Sequence, residues 1–285
     1  MRFRIVTDSS ANVLELPEQN YASVPMKIVT DREYVDLPSL NVAAMVEDLK
    51  NHKGKSGSSC PNVGEWLEAF GEAEEVFCVT ITKHLSGSYN AAFQAASTYM
   101  EENPGRKVYV FDSLTAGPEM MLLVEKIQEC DAAGDDFETT KTKVLDYHNH
   151  CHTVFCLESL TNLARNGRVS PAIAKIAGML GFRMVGEAVG GQLSLAHKPR
   201  GARKATQAIV QVLKERGFQG GYLRVSHCFA EDALNALKEA VLAEFPATRF
   251  VAEPTTALCS FYAEVGGLIV GYEGSFNAHN DNSKF

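Results

Sequence analysis

Eight residues carry the densest concentration of reactive and polar groups in the chain: Thr82-Lys83-His84-Leu85-Ser86-Gly87-Ser88-Tyr89. Hydroxyls, a lysine and a glycine in one short loop could hold an anion. Alternatively, Ser86 could serve as a nucleophile with His84 nearby. The run before the loop, Val76–Ile81, is short, apolar and partly β-branched, and reads as a buried strand. The run after it, Asn90–Met100, has alanines and apolar residues at helical spacing. A strand entering a helix through such a loop aims unpaired N–H groups and the positive helix end at one spot. A phosphate or carboxylate suits that spot. Equally, Ser86 or Ser88 could do no more than cap the helix.

A second polar stretch, Lys53-Gly54-Lys55-Ser56-Gly57-Ser58-Ser59-Cys60-Pro61, has the composition of a flexible loop. It runs into Asn62-Val63-Gly64-Glu65, where Asn62 can cap a helix and Glu65 can reach back to it. Cys60 lies close to that helix start, where a thiol can become nucleophilic, so Cys60 joins Ser86 as a candidate nucleophile. No G-x-S-x-G elbow accompanies either residue. His148-Asn149-His150-Cys151-His152 alternates histidines as some metal sites do. It lacks an accompanying carboxylate group and reads as a connection between domains, so no metal site is expected. Neither G-x-x-x-x-G-K-[ST] nor G-x-G-x-x-G occurs, so no nucleotide or other cofactor is expected on this chain.

The elements that must position these residues alternate between strand and helix. Phe3–Thr7 is a strand ending in the polar turn Asp8-Ser9-Ser10-Ala11, and Ser23–Thr30 is a further extended piece. Asn41 caps a helix with Val42, Met45, Val46 and Leu49 on one face. Lys107–Phe111 is a strand ending in Asp112-Ser113-Leu114-Thr115-Ala116-Gly117, followed by helices near 119–132 and 137–148. This alternation implies an α/β fold with a largely parallel sheet in the first half. Three polar loops then follow strand C-termini, the edge where open parallel sheets bind ligands.

A domain is expected over residues 1–150 and a second α/β domain over 151–285. In the second, Ser170-Pro171 opens a helix whose apolar stripe is Ile173, Ile176, Ala177 and Leu180. Gly190-Gly191 turns a hairpin between Phe182–Val189 and Gln192–His197. Helices at 202–216 and 231–244 and strands at 222–226, 249–252 and 267–272 complete it.

At 285 residues, 45% hydrophobic and 22% charged, the chain has a globular composition. No apolar run approaches the roughly 20 residues of a membrane span, so stable membrane insertion is not expected. The first residues enter a strand too soon for a signal peptide. Seven scattered cysteines without a CxxC pair fit a reducing cytoplasm. The net charge of −8 hides a segment, 165–204, with eight cations against Glu187 alone. Such an excess attracts an anionic ligand or an acidic protein surface. The acidic total argues against nucleic acid.

Ordered along the chain, several stretches resemble the DegV family of bacterial lipid-binding proteins: Val6–Asn12, Val24–Ile28, Ser58–Trp66, Leu85–Ala92, Phe111–Ser113, Leu157–Leu160 and Asn166–Ser170. The resemblance implies two α/β domains with a long-chain fatty acid in a cleft between them. It also implies a non-enzymatic carrier that presents the carboxyl group to a separate ATP-dependent fatty-acid kinase subunit; a monomer is the plainest expectation for a carrier that must dock elsewhere. Ser58, Ser59, Ser86, the amide of Gly87 and Arg200 match the family's carboxylate-binding positions, with Asn62 and His84 as neighbours. Departures stand at Cys60, at Arg183-Met184 and at Tyr262–Gly267, where Glu264 replaces a family histidine near the head group. A carboxylate at 264 beside a carboxylate ligand would call for Arg200, Arg203 or Lys198 to neutralise it. The alternative remains a hydrolase or transferase using Cys60 or Ser86.

Overall fold

A computed structural model of the chain describes residues 3–17, 20–175 and 181–276. These form two compact units. The first comprises 1–116, 120–148 and 256–258; the second comprises 117–119, 149–255 and 259–285.

In the first unit, β1 (Arg4–Asp8), β2 (Tyr21–Val24), β6 (Glu75–Thr80) and β7 (Lys107–Asp112) make a wholly parallel sheet in the order β2-β1-β6-β7. Strand alternation explains its two cores. Val76 and Cys78 of β6 join Val6 against helices α2 (Val63–Phe70) and α3 (Ser88–Glu102), packing on Trp66, Phe70 and Tyr99. Ala92, Ala95 and Ala96 are buried on the same side, where small side chains let α3 lie close to the strands. Phe77 points the other way and stacks on Phe137 of α5 (Phe137–His148), with ring centres 4.5 Å apart and planes at 11°. Phe3 meets the same ring edge-on at 6.4 Å.

A second, antiparallel sheet of the unit has the order β4-β3-β5, made of β3 (Lys27–Val29), β4 (Glu33–Val35) and β5 (Gly57–Ser59). Two sequence expectations change here. The extended piece 23–30 divides between two sheets, because Pro25 cannot donate to a ladder and the chain breaks at Pro25-Met26. The stretch 53–61, flexible in composition, is pinned at its end as β5, with Ser58 opposite Ile28 and Ser59 opposite Lys27. Helix α1 (Val42–Asn51) begins at Asn41 as expected, its side chain accepting from the Ala44 N–H.

Residues 256–258 join the first unit through a buried carboxylate. Asp36 accepts the N–H groups of Ala257 (2.8 Å) and Leu258 (3.1 Å) and the Thr256 hydroxyl (3.1 Å). Asn12, in a left-handed conformation, accepts the Thr256 N–H at 2.7 Å. Burial raises the Asp36 carboxyl above the ordinary range, opposed by these donors.

The second unit has a six-stranded sheet in the order β10-β9-β8-β13-β11-β12. Its strands are β8 (Cys151–Leu157), β9 (Met184–Val189), β10 (Gln192–His197), β11 (Tyr222–His227), β12 (Arg249–Pro254) and β13 (Leu268–Glu273). Only β11 and β12 run parallel; the other pairs are antiparallel. Helices α8 (Ala202–Glu215) and α9 (Glu231–Glu244) cover one face with Ile209, Leu213, Leu237 and Val241 against Val154, Val225 and Val270. On the other face Phe155, Leu157 and Met184 pack with Leu163 of α6 (Thr161–Arg165). Gly190 and Gly191 both adopt positive φ (55° and 82°), as the tight hairpin requires.

Helix α4 (Pro118–Ala132) and α10 (Ala257–Ala263) complete the described helices longer than one turn, besides α7 (Pro171–Ala174), which Ser170 caps through the Ile173 N–H. Of the apolar stripe expected after Ser170, Ile176, Ala177 and Leu180 lie outside the described residues.

Truncating the ring that joins α2 and α3 is expected to be expensive. Phe70 is buried, 6.3 Å from Trp66 and 5.6 Å from Tyr99 between ring centres. Phe70→Ala is expected to cost about 3–5 kcal/mol, read from the denaturant midpoint at unchanged slope.

Candidate functional site

Three polar loops leave the C-terminal ends of the neighbouring strands β1, β6 and β7, so parallel pairing alone brings them side by side. Hydrogen bonds then tie them together. The Thr82 N–H donates to the Thr115 carbonyl (2.9 Å), the Ser113 N–H to the Thr80 carbonyl (3.2 Å) and the Lys83 N–H to Asp112 (3.3 Å).

At the centre is Asp8, the last residue of β1, with no exposure to solvent. Its Oδ2 accepts the Ile81 N–H at 3.0 Å and the Ser88 hydroxyl at 2.7 Å. Its Oδ1 accepts the Ser10 N–H at 3.2 Å and the Ser10 hydroxyl. One carboxylate thereby joins the end of β1, the end of β6 and the first residue of α3. Burial pushes its pKa up, and the four hydrogen bonds pull in the opposite direction.

The loop 82–87 hangs from this anchor. The N–H groups of Leu85 and Ser86 both donate to the Thr82 carbonyl, at 3.0 and 3.2 Å. Helix α3 starts at Ser88, two residues before the sequence expectation, and its N-cap is Gly87 with no side-chain cap. Neither serine is therefore a conventional cap. The buried Ser88 hydroxyl is committed to Asp8, while half-buried Ser86 accepts the Ser88 N–H at 3.3 Å. That contact leaves the Ser86 hydroxyl hydrogen to donate elsewhere. Among the described residues, the exposed Gly87 has no acceptor for its N–H. Ser86 Oγ–H and Gly87 N–H are thus adjacent donors at the positive end of a 15-residue helix, a combination suited to a carboxylate.

A side-chain carbon added at Gly87 would lie 3.3 Å from the Cys60 sulfur. The connection from β5 to α2 therefore runs against the start of α3. Ser59, exposed, and Ser58, half-buried, stand one and two residues before Cys60. Asn62 and Glu65 form the expected capping box: the Glu65 N–H donates to Asn62 (3.0 Å) and the Asn62 N–H to Glu65 (2.7 Å). Asn62 Oδ1 is thereby occupied at the helix start. Lys27 pairs with the other Glu65 oxygen at 3.2 Å.

His84 is exposed, and its N–H donates to the Thr82 hydroxyl at 3.3 Å. Among the described residues its ring makes no hydrogen bond to Ser86 or Cys60, so no nucleophile–base pair is assembled. The histidines around Cys151 form no metal cluster among the described residues. There His148 bonds the Ser113 carbonyl at 2.8 Å and His152 that of Phe276 at 3.0 Å.

Two site candidates lie in the second unit. Arg200 is exposed and forms an isolated antiparallel bridge with Phe182. Glu264, with φ at 54°, accepts the Asn162 N–H at 3.0 Å. A carboxylate there complements the positive end of α6. Among the described residues none of Arg200, Arg203 and Lys198 pairs with Glu264, whose carboxylate is met by a backbone donor. The sequence reading treated Asp8 as a turn residue and missed Asp36. An acid ending a strand before two serines was the available signal for Asp8. Nothing local marks Asp36, whose backbone donors Ala257 and Leu258 lie more than 200 residues away.

The family model for uncharacterised proteins of the DegV family matches residues 2–273. A DegV domain-containing protein of Streptococcus pneumoniae is 38% identical over 279 residues, 96% of this chain and 99% of the relative. The chain belongs to the DegV family. Among solved structures, this DegV protein is similar to the fatty acid kinase B3 protein of Streptococcus pneumoniae loaded with linoleic acid. That pair has a TM-score of 0.92 at 39% identity, covering 96% of this chain and 99% of the other. A DegV family protein from Eubacterium eligens loaded with heptadecanoic acid gives 0.93 at 36% identity, covering 96% and 100%. The mixed α/β fold expected from the sequence is the fold of these neighbours.

Replacing Asp8 tests the anchor. In Asp8→Asn the amide nitrogen must oppose a donor, with an expected cost of roughly 1–3 kcal/mol. The folded carboxyl is raised above its ordinary 3.8, so the native state holds the proton more tightly than the unfolded chain. The Asp8 contribution to stability is then largest in acid and falls as pH rises through the folded value. The stability advantage of wild type over Asp8→Asn is expected to shrink from acid toward neutral pH in paired thermal melts.

Proposed function

We propose that this DegV protein binds a long-chain fatty acid and holds its carboxylate at the start of α3 for phosphorylation by a separate ATP-dependent kinase subunit. The observation that carries this reading is the pair of uncommitted donors at that helix end, Ser86 Oγ–H and Gly87 N–H, on a loop anchored by buried Asp8. A carboxylate accepting both would gain charge-assisted hydrogen bonds and the favourable helix end. Ser58 and Ser59 supply further hydroxyls on the neighbouring β5, and Arg200 is the candidate cation of the second unit. Support comes from structural neighbours loaded with linoleic and heptadecanoic acids, one of them a fatty acid kinase component.

Carrier function accords with the chemistry absent from the loop. Among the described residues Ser86 has no partnered base, and the sequence has no phosphate-binding loop of known type. Among the described residues no helix is long and apolar enough to cross a membrane. A hydrolase using Cys60 or Ser86 finds no assembled base in this geometry.

Protein purified from a bacterial host is expected to release a fatty acid on denaturation, identified by mass spectrometry. Absence of lipid from the extract, together with failure to bind added oleate, would falsify the reading. Ser86→Ala is expected to weaken oleate binding about tenfold or more, the loss of one charge-assisted hydrogen bond. The parallel variant Arg200→Met tests the second-unit cation in the same titration.

A further inference from the structure

Asp8 stands at one end of a short turn and Asn12 at the other. Between them Ser9–Ala11 make a single 3-10 turn, with Asp8 as its N-cap and Asn12, at φ 67°, as its C-cap. All three residues of the turn are fully buried, so it cannot shift at one end alone. Its Asp8 end carries the candidate loop, through Ile81 and Ser88. Its Asn12 end carries residues 256–258. These belong to the first unit, while the stretches on either side of them, 149–255 and 259–285, belong to the second.

Two routes join the turn to that segment. Directly, Asn12 Oδ1 accepts the Thr256 N–H at 2.7 Å. The Thr256 hydroxyl lies 3.1 Å from Asp36 Oδ2 and 3.4 Å from the Ser9 carbonyl, with one hydrogen to share between them. Indirectly, the Ser9 hydroxyl accepts the Met26 N–H at 3.0 Å and also bonds the Asp36 carboxylate. The Met26 carbonyl accepts the Asp36 N–H at 2.9 Å, and Asp36 in turn accepts the N–H groups of Ala257 and Leu258. Asn12, Met26 and Asp36 are all buried, so partial release of the segment would strand polar atoms away from water. The contacts are therefore made or broken together.

We infer that Asn12, Asp36 and Thr256 are positioning residues for the bound carboxylate, and that 256–258 is a strap whose closure is coupled to occupancy of the α3 start. The inference rests on the carboxylate reading above and adds where in the chain occupancy is felt. These three residues act through Asp8 and not on the ligand. A carboxylate accepting Ser86 Oγ–H and Gly87 N–H fixes the loop 82–88. The loop fixes Asp8, and Asp8 fixes the turn that carries Asn12. Such coupling is reciprocal: as the ligand holds the strap closed, the closed strap raises affinity for the ligand. Closure also fixes the start of α10, whose first residue is Ala257.

The test is hydrogen exchange of the full chain with and without oleate, read at the amides of Thr256, Ala257 and Leu258, beside an oleate titration. Saturating oleate is expected to slow exchange at these three amides at least about fivefold. The amides of the Gly190-Gly191 hairpin are the reference for general stiffening and are expected to stay unchanged. Thr256→Val keeps the side-chain shape without the hydroxyl and is expected to weaken oleate binding at least about fivefold, with Thr256→Ser restoring it. Asn12→Gly keeps the left-handed backbone without the acceptor and is expected to abolish the oleate-dependent slowing at 256–258. The Thr256 pair carries the test by itself where Asn12→Gly does not fold. Oleate bound by wild type with no change at 256–258, or with equal slowing at the hairpin, overturns the coupling and leaves the carboxylate reading standing. Thr256→Ser as weak a binder as Thr256→Val overturns the positioning role. Wild type that binds no oleate overturns the carboxylate reading, and the strap with it.

Discussion

A single buried carboxylate sets the geometry on which the candidate site depends. Asp8 has no contact with solvent, and its desolvation would count heavily against it if it stood alone. Four donors from three segments surround it: Ser10, Ile81 and Ser88. Moving any one segment would strand a buried polar group, so the ends of β1 and β6 and the start of α3 hold one another in place. The candidate loop between residues 82 and 87 needs no rigidity of its own. Both its ends are fixed, and the Thr82 carbonyl gathers the N–H groups of Leu85 and Ser86 into a tight turn.

The division of labour between Ser86 and Ser88 follows from that anchor. Two hydroxyls two residues apart look interchangeable in the chain. Ser88 is spent inside, on Asp8, and is fully buried. Ser86 is half-buried and has a hydroxyl hydrogen still to give. The helix then begins with glycine as its N-cap, which leaves the terminal N–H of residue 87 uncovered. An ordinary side-chain cap would have filled the place that a ligand carboxylate can take. Carboxylates already take equivalent places elsewhere in the protein. Asp36 meets the first N–H groups of α10, and Glu264 meets that of Asn162 in α6. The same electrostatics that hold the fold together thus make the open start of α3 receptive.

Legibility in the sequence followed the range of the interactions. The strand–helix alternation, the capping box at Asn62-Glu65, the Ser170-Pro171 helix start and the Gly190-Gly191 hairpin are each set by residues within a few positions of one another. They stand in the structure where the pattern put them. The short strand inside the polar stretch 53–61 was not legible because its glycines and serines carry no strand pattern; β5 forms through pairing with β3, some 30 residues earlier in the chain. For Glu264 the position was legible in the sequence and its partner was not. The partner is a backbone N–H more than 100 residues away, in an element whose identity says nothing about it.

From the sequence alone came the α/β class, the three polar loops at the ends of parallel strands, and the serine–glycine pair at a helix start. These depend on side-chain period, turn chemistry and capping preference, all short-range properties. Only the tertiary structure decided which serine is free and which is buried, and why the loop keeps its shape. That choice belongs to Asp8, whose donors are brought from as far as Ser88 by the pairing of β1 with β6. Burial is a property of the assembled sheet and helices. A carboxylate that reads as a turn residue along the chain becomes the anchor of the site once solvent is removed from around it.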